Sequence, residues 1–104
     1  MTIREATNSP LTQSPTERIK YIFDFAEWGT PTLPTVKLWN TDDESPEDVS
    51  ATKLIGVSTI IDDTVKTPTV ISLVAGSRYR LVCEAVIDGE STMSGYCDIN
   101  TEAP

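Results

Sequence analysis

Hydrophobic and polar residues alternate with a period of two in several short stretches of this chain. The clearest early stretch is Ile19–Phe25, where Ile19, Tyr21, Phe23 and Phe25 share one face. Such a period is typical of a β-strand with one buried side. Strands are also predicted, with no convincing helical period anywhere, over Thr35–Asn40, Lys53–Ile61 and Thr67–Leu73.

Details of the middle stretches set their expected breaks and faces. Gly56 predicts an interruption, so that the segment around it forms one strand or two short ones. In the next stretch, alternation places Ile71 and Leu73 on one face and Val70 on the opposite face.

A hairpin near the carboxyl terminus carries the strongest structural signal. Its first strand, Ser77–Ile87, turns through Asp88 and Gly89 into a returning strand, Thr92–Ile99. One face of the hairpin carries Tyr79, Leu81, Cys83, Ala85 and Ile87, followed by Met93, Gly95, Cys97 and Ile99.

The register of this hairpin follows from keeping the apolar faces together. A two-residue turn would pair Ile87 with Glu90 and mix polar with apolar side chains. A five-residue loop from Asp88 to Thr92 would pair Ile87 with Met93 and Cys83 with Cys97. We expect the second register, which brings the two cysteines side by side.

The two cysteines are too few for a four-ligand zinc site, and the chain has no histidine to add. In a reducing compartment, the expected state of Cys83 and Cys97 is two reduced, partly buried thiols. Their expected pairing also allows a disulfide, and the residues alone leave both states open.

The short strands and frequent turns together predict an all-β fold, a two-sheet antiparallel sandwich of about seven strands. Residues 1–16 are polar and contain two prolines, so we expect an extended or flexible N-terminal arm. Residues 17–104 would form the sandwich domain. An arm of this kind can become ordered on a neighbouring subunit.

Composition excludes several functions. The chain has 104 residues, Lys+Arg 8 and Asp+Glu 16, so its net charge of -8 argues against binding to nucleic acid. The missing histidine removes the usual general base and the imidazole metal ligand. No apolar stretch is long enough for a membrane helix, and we expect no secretion signal. We therefore expect no catalytic residues, no metal and no cofactor.

An acidic segment, Thr41–Asp48, is the one stretch that suggests metal or acid–base chemistry. It lacks the glycine-centred pattern of a calcium-binding loop. A working acid also needs a desolvated pocket, whereas a loop rich in Ser and Pro is solvated. We therefore interpret it as an exposed acidic loop.

The segment from Leu73 to Cys83 resembles the tyrosine corner of immunoglobulin-like and fibronectin-type domains. In those domains a tyrosine hydroxyl bonds back to the backbone of the preceding corner, a part that Tyr79 would take here after Gly76. Antibody domains carry a cysteine two residues after this tyrosine, but Leu81 stands there instead. The resemblance thus implies an immunoglobulin-like sandwich and leaves an antibody-type disulfide in doubt.

Two motifs read together resemble small virion proteins of tailed phages, described as fibre–tail adaptors. The opening, Tyr21 to Trp28, is similar to their "aromatic-x-Phe-Asp-aromatic-x-x-Trp" pattern through Phe23, Phe25 and Trp28. The closing pattern is matched by Leu73, Gly76, Tyr79, Leu81, Cys83 and Gly89. Between residues 30 and 67 the likeness is only that both are rich in strands.

The resemblance implies a non-enzymatic structural protein of the virion, made in the host cytoplasm. Such an adaptor sits at the head–tail junction or tail and joins the tail machine, portal-proximal ring or fibres, in a symmetric ring of copies. We expect its partner contacts at Ile3, Arg4, Leu11 and an exposed Trp39. The alternative within this class is a decoration or cement protein of the capsid. A sandwich that stacks sugars on Trp28 and Trp39 is a further alternative.

Overall fold

The structure, a computed structural model, describes residues 10–101 in full and residues 2–5 as backbone. These parts form eleven strands and one short helix, α1 (Ser50–Lys53). The strands are β1 (Thr2–Glu5), β2 (Leu11–Gln13), β3 (Ile19–Asp24), β4 (Pro31–Asn40), β5 (Glu47–Asp48), β6 (Leu54–Ile55), β7 (Thr59–Ile61), β8 (Thr64–Lys66), β9 (Thr69–Val70), β10 (Arg78–Ile87) and β11 (Ser91–Thr101).

The first sheet is built around β3. Both β1 and β8 pair with Ile22, and both β1 and β9 pair with Ile19, so β1 lies on one side of β3 with β8 and β9 on the other. Because β8 and β9 continue one another along that side, they act as one interrupted strand. On the side away from β3, β7 pairs with β8 and β6 pairs with β9. These two strands therefore form the edge of the sheet opposite β1.

The second sheet has the order β2-β11-β10-β4-β5. Its neighbours are antiparallel except for β2, which runs parallel to the last residues of β11. The amino-terminal segment therefore contributes β1 to the first sheet and β2 to the second. This division and the strand order of both sheets are those of an immunoglobulin-like sandwich.

The space between the sheets is filled by the inward face of each strand. Tyr21, Leu81, Cys97 and Ile99 are fully buried there, and Leu11, Val36 and Leu54 pack against this core from its edges. The alternation predicted for β3 and β10 is confirmed, because every second residue of both strands is buried. Gly95 in β11 lies close to the ring of Phe23, because an added Cβ would be 3.2 Å from that ring and the ring would have to shift.

The tyrosine corner has the bond expected of Tyr79. The Tyr79 hydroxyl accepts a hydrogen bond of 3.1 Å from the backbone N–H of Val74. Gly76, with a φ of +82°, donates its N–H to Thr101 and so joins the corner to the end of β11. The corner thus fixes where β10 begins.

The hairpin register differs from the prediction by two residues. Ala85, not Ile87, pairs with Met93, and the loop contains only Asp88, Gly89 and Glu90. Asp88 and Gly89 have φ values of 52° and 74°, which lets the turn close over fewer residues than expected. Since a shift of two residues keeps every side chain on its face, the apolar pattern could not distinguish these registers.

This correction places the two cysteines two positions apart along the ladder instead of opposite each other. Cys83 lies opposite Gly95, and Cys97 lies opposite Leu81. Both are free thiols with no exposed surface. Burial raises the pKa of each thiol from the ordinary 9.0 to about 12, with a smaller contribution from Glu84 or Asp98. Both cysteines serve as small core residues.

The expected boundary between arm and domain at residue 16 also differs from the structure, because β2 is an integral strand of the second sheet. Gln13 has no exposed surface. Its Nε2 donates to the carbonyl oxygens of Val70 (2.9 Å) and Glu17 (3.1 Å), and its Oε1 accepts from the Tyr21 hydroxyl (2.8 Å). These bonds join the two sheets, so this part of the segment belongs to the sandwich.

The middle of the chain is more interrupted than its pattern suggests. The break near Gly56 is confirmed, since β6 and β7 are two short strands. Beyond Pro68, however, the strand is only two residues long, because Pro68 cannot donate to the ladder. Thr69, Val70, Ile71 and Leu73 are all buried, so both faces of this segment are covered. These interruptions raise the strand number above seven.

Candidate functional site

The outward face of the second sheet gathers the most distinctive exposed side chains of the described residues. Because Leu81 and Cys83 point into the core, Arg80 and Val82 point outward. The register places Trp39 and Asp98 on either side of Arg80. We call Lys37, Trp39, Arg80, Val82, Tyr96 and Asp98 the Arg80 patch; Lys37 and Tyr96 flank Val82 within it.

Arg80 is held flat against the sheet by two neighbours. Its Nε donates to Asp98 Oδ1 at 2.8 Å and its Nη2 donates to Oδ2 at 3.3 Å. Its Cζ lies 4.2 Å from the centre of the Tyr96 ring, a cation–π distance. The hydrogen bond to Asp98 also raises the pKa of Arg80. The guanidinium is therefore oriented before any partner arrives.

Trp39 forms the other side of the patch. The Lys37 Nζ lies 6.0 Å from the centre of the Trp39 ring. A shallow groove of about 340 Å³ runs beside this ring, lined by Trp39, Thr41, Pro46, Arg80 and Val82. Its walls are mainly aliphatic and aromatic carbon, with the Arg80 side chain along one border. Such a groove can accept an apolar side chain from another protein.

The composition of the Arg80 patch is that of a protein–protein contact. Trp, Tyr and Arg are the residues that contribute most to binding energy at interfaces, particularly when neighbouring groups hold them in place. The patch also carries two cations and one carboxylate, within a chain of net charge -8. It is thus less acidic than the molecule as a whole.

The sequence-predicted partner residues do not come together on this surface. Trp39 lies in the Arg80 patch but is half-buried, not exposed as expected, because it lies between Arg80 and Asp48 in the sheet. Leu11 packs against the core. Ile3 and Arg4 belong to the backbone of β1, and their side chains lie outside the described part of the chain.

Sequence reasoning missed Arg80, Tyr96 and Asp98 as surface residues that act together. Alternation already placed Arg80 and Val82 on the outward face of β10. Tyr96 could have been found on the outward face of β11 by the same rule. Their adjacency depended on the hairpin register, which the predicted loop misplaced by two residues.

The tryptophans do not form a common surface for a sugar. Trp28 lies in the turn before β4, is 47% exposed and packs its ring 5.7 Å from Phe25. Trp28 lines a groove together with Ile87, and Ile87 pairs with Pro31 at the beginning of β4. Trp39 lies near the other end of β4. The full length of β4 separates the two rings.

The acidic loop uses its carboxylates to organise the backbone. Asp42 accepts a hydrogen bond of 2.8 Å from the Arg78 N–H, which lowers the pKa of Asp42. The hydroxyl and backbone N–H of Ser50 likewise lower the pKa of Asp48. Within residues 10–101, no three Cys, Asp or Glu side chains are grouped as metal ligands.

No protein-family model matches this chain, and no curated protein matches it. Among the described residues, no helix has the length and apolar character needed to cross a bilayer. The interpretation of function therefore depends on the surface chemistry of the sandwich and on the motifs that resemble phage proteins.

Proposed function

We propose that this protein is a non-enzymatic structural protein of a tailed-phage virion, an adaptor at the head–tail junction or tail. It joins the tail machine to fibres or neighbouring subunits through protein–protein contacts. The Arg80 patch is the principal contact surface on each copy, and copies are arranged around the symmetry axis of the tail.

The observation that carries the contact role is the prearranged Arg80 patch. Arg80 is held by Asp98 and Tyr96, so little side-chain freedom is lost when a partner covers it. The neighbouring groove beside Trp39 offers apolar surface that gains from leaving water. The exposed acidic loop borders this groove through Pro46, which favours a partner with a basic rim.

The assignment to phage virions is supported by the two sequence motifs. Phe23, Phe25, Tyr79, Leu81 and Cys83 from those motifs all lie in the core. The resemblance to phage proteins therefore lies at core positions, which build the immunoglobulin-like sandwich and do not contact a partner. The choice of partner lies with surface residues outside the motifs, of which the Arg80 patch is the main group.

Antibody-labelled electron microscopy of purified virions tests this proposal. We expect label confined to the tail or to one vertex of the particle. Label spread over the head would replace the adaptor with the decoration protein that shares its class. Absence of the protein from virions, established by mass spectrometry of the purified particles, would overturn the virion role altogether.

A pair of variants tests the contact surface separately. The double variant Trp39→Ala/Tyr96→Ala removes both aromatic walls of the Arg80 patch, and we expect at least about a tenfold loss of incorporation into virions. Leu33→Ala is the matched control because Leu33 is 77% exposed on the same sheet but outside the patch. Circular dichroism and thermal melting confirm folding of each. Equal incorporation of both proteins would contradict the assigned surface.

A further inference from the structure

The end of the sandwich at which β4 begins carries a strong excess of negative charge. Three turns meet there: residues 24–30 before β4, residues 61–64 between β7 and β8, and residues 87–91 between β10 and β11. They contain six acidic residues and no Lys or Arg, and the six are Asp24, Glu27, Asp62, Asp63, Asp88 and Glu90. In the described part of the chain the only ion pair joins Arg80 to Asp98. These six carboxylates therefore have no cationic partner there.

Hydrogen bonds hold the three turns in a fixed arrangement. The backbone N–H of Thr30 donates to Asp88 Oδ1, and the Asp88 N–H donates to the Thr30 carbonyl oxygen, each at 2.9 Å. The Thr30 hydroxyl also donates to Asp63 Oδ1 at 3.4 Å. Gly29, with a φ of +135°, lets the first turn approach the third, because an added Cβ would lie 2.7 Å from Ile87 Cγ2. The acidic side chains are thus carried by backbone that is already in place.

Trp28 gives this acidic end an aromatic surface. A groove of about 370 Å³, which we call the Trp28 groove, is lined by three apolar side chains and three carboxylates, those of Trp28, Ile87, Met93, Glu27, Asp88 and Glu90. Trp28 is 47% exposed, and its ring is supported by the Phe25 ring at 5.7 Å. Asp88 already bonds to the first turn, whereas the carboxylates of Glu27 and Glu90 make no hydrogen bond or ion pair within the described residues. The groove therefore offers an aromatic face beside two available carboxylates.

The charge and the aromatic face of the groove together indicate what it accepts. An arginine guanidinium is planar, stacks on aromatic rings and bonds to carboxylates through several N–H groups. Its methylene groups gain from contact with apolar walls such as Met93. An acidic partner would be repelled, and so would a second copy of this chain with its net charge of -8. The occupant is therefore a basic segment of a different protein.

We propose that the Trp28 groove binds an arginine side chain in a basic segment of another protein. The guanidinium lies against the Trp28 indole and donates to the carboxylates of Glu27 and Glu90. The remaining carboxylates of this end attract basic residues that flank the arginine. The groove lies at the beginning of β4, whereas Trp39 lies near the other end of that strand, so this contact is separate from the Arg80 patch. It is also independent of the phage assignment.

Nuclear magnetic resonance of isotope-labelled protein tests the contact, with the peptide acetyl-Gly-Arg-Gly-Arg-Gly-amide as the probe. An ionic strength of about 0.15 M screens long-range attraction. We expect a saturable shift of the Trp28 indole N–H signal, which is assigned by its loss in Trp28→Leu, and no shift of the Trp39 signal. The same peptide with citrulline in place of arginine keeps the shape but loses the charge. It should bind at least about tenfold more weakly.

Two double variants distinguish local recognition from net charge. Glu27→Gln/Glu90→Gln and Glu44→Gln/Glu47→Gln each remove two negative charges, but only the first pair changes the groove. Glu44 and Glu47 are exposed residues of the acidic loop at the opposite end of β4. We expect about tenfold weaker peptide binding for the first variant and less than about twofold for the second. Trp28→Leu should weaken binding about threefold. Thermal melting confirms that each variant is folded.

Three results would contradict this inference. They are the absence of a saturable Trp28 shift up to about 10 mM peptide, equal weakening by the two double variants, and equal binding of the citrulline peptide. A shift of the Trp39 signal in place of the Trp28 signal would show that the peptide occupies the Arg80 patch, and it would contradict the inference as well. Trp39→Ala/Tyr96→Ala should bind the peptide like the unmodified protein. Absence from virions would leave this inference intact.

Discussion

The two sheets of the sandwich are built differently. β4 and β10 have 10 residues each and β11 has 11, so the second sheet presents a broad continuous surface. The longest strand of the first sheet, β3, has 6 residues, and the other strands of that sheet have two to four. One sheet therefore offers an ordered face, whereas the other offers an open edge.

The cause lies in where the strand-breaking residues fall. From Arg78 to Ile87 no glycine or proline interrupts the alternation, and every second side chain reaches the core. In the first sheet, Gly56 and Pro68 lie in facing segments of the same hairpin. A proline cannot donate to the ladder, and glycine tolerates the left-handed conformation found at Gly56 (φ +94°). The ladder consequently bulges there.

This difference means that the two sheets present different kinds of surface. A continuous face arranges side chains from three strands into a patch such as that around Arg80, where shape and charge provide specificity. A short open edge contributes backbone pairing and aliphatic contact.

The largest expected effect distinguishes the core of the second sheet from the edge of the first. Leu81→Ala should lower the free energy of unfolding by about 2–5 kcal/mol, because Leu81 is fully buried and truncation leaves a cavity. Ile61→Ala should change it by no more than about 0.5 kcal/mol, since Ile61 is half exposed. Urea denaturation at a concentration where the protein is monomeric measures both. Comparable losses would mean that the edge supports the fold of each copy.

An intermediate effect tests the connection between the sheets. Gln13→Leu keeps the volume of the side chain but leaves the Val70 carbonyl and the Tyr21 hydroxyl without their bonds to Gln13. We expect a loss of about 2–3 kcal/mol in the free energy of unfolding, because buried polar groups lose partners.

Tyr21→Phe is the control for the Gln13 bonds. It removes one hydroxyl and one of the bonds to Gln13, so it should cost less than Gln13→Leu, about 1 kcal/mol. If Gln13→Leu were as stable as the unmodified protein in urea denaturation, β2 would contribute little to holding the sheets together.

The smallest effect at neutral pH concerns the buried thiols. Their pKa is raised by burial to about 12, so Cys83 and Cys97 remain protonated in the folded protein at pH 8 and should resist alkylation. The unfolded chain loses these protons near pH 9, whereas the folded protein keeps them. The stability from both thiols is therefore complete below pH 9 and falls as the pH rises from there toward 12.

Mass spectrometry after brief iodoacetamide treatment measures how far the thiols are protected from alkylation. Urea denaturation at several pH values measures how the free energy of unfolding changes with pH. Cys83→Ser/Cys97→Ser is unsuitable as a control because it buries hydroxyls. Cys83→Ala/Cys97→Ala, if folded, should lose the thiol contribution to the slope above pH 9. Rapid labelling of the folded protein at pH 8 would show that the second sheet opens locally, contrary to its continuous ladder.

Sequence reasoning succeeded where the pattern was local. The buried faces of β3 and β10, the break near Gly56 and the bond of Tyr79 each depend on residues close together in the chain. It overestimated the strand beyond Pro68, which was predicted over Thr67–Leu73 and has only two residues. It also missed Gln13, because a polar residue in a polar segment carries no sign that it will be buried between sheets.

The sequence by itself determined the class of this protein. The period of two, the turn residues and the absence of long apolar segments specify an all-β sandwich. Hairpin registers that differ by two residues keep every side chain on the same face, and only the tertiary structure decided between them. That register places Arg80 between Trp39 and Asp98. The tertiary structure also decided that the amino-terminal segment divides between the sheets and that, within the described part of the chain, β7 has a strand partner on one side only. The physical reason is that alternation specifies only the face on which a side chain lies, whereas its neighbours depend on turn geometry and on packing between residues distant in sequence.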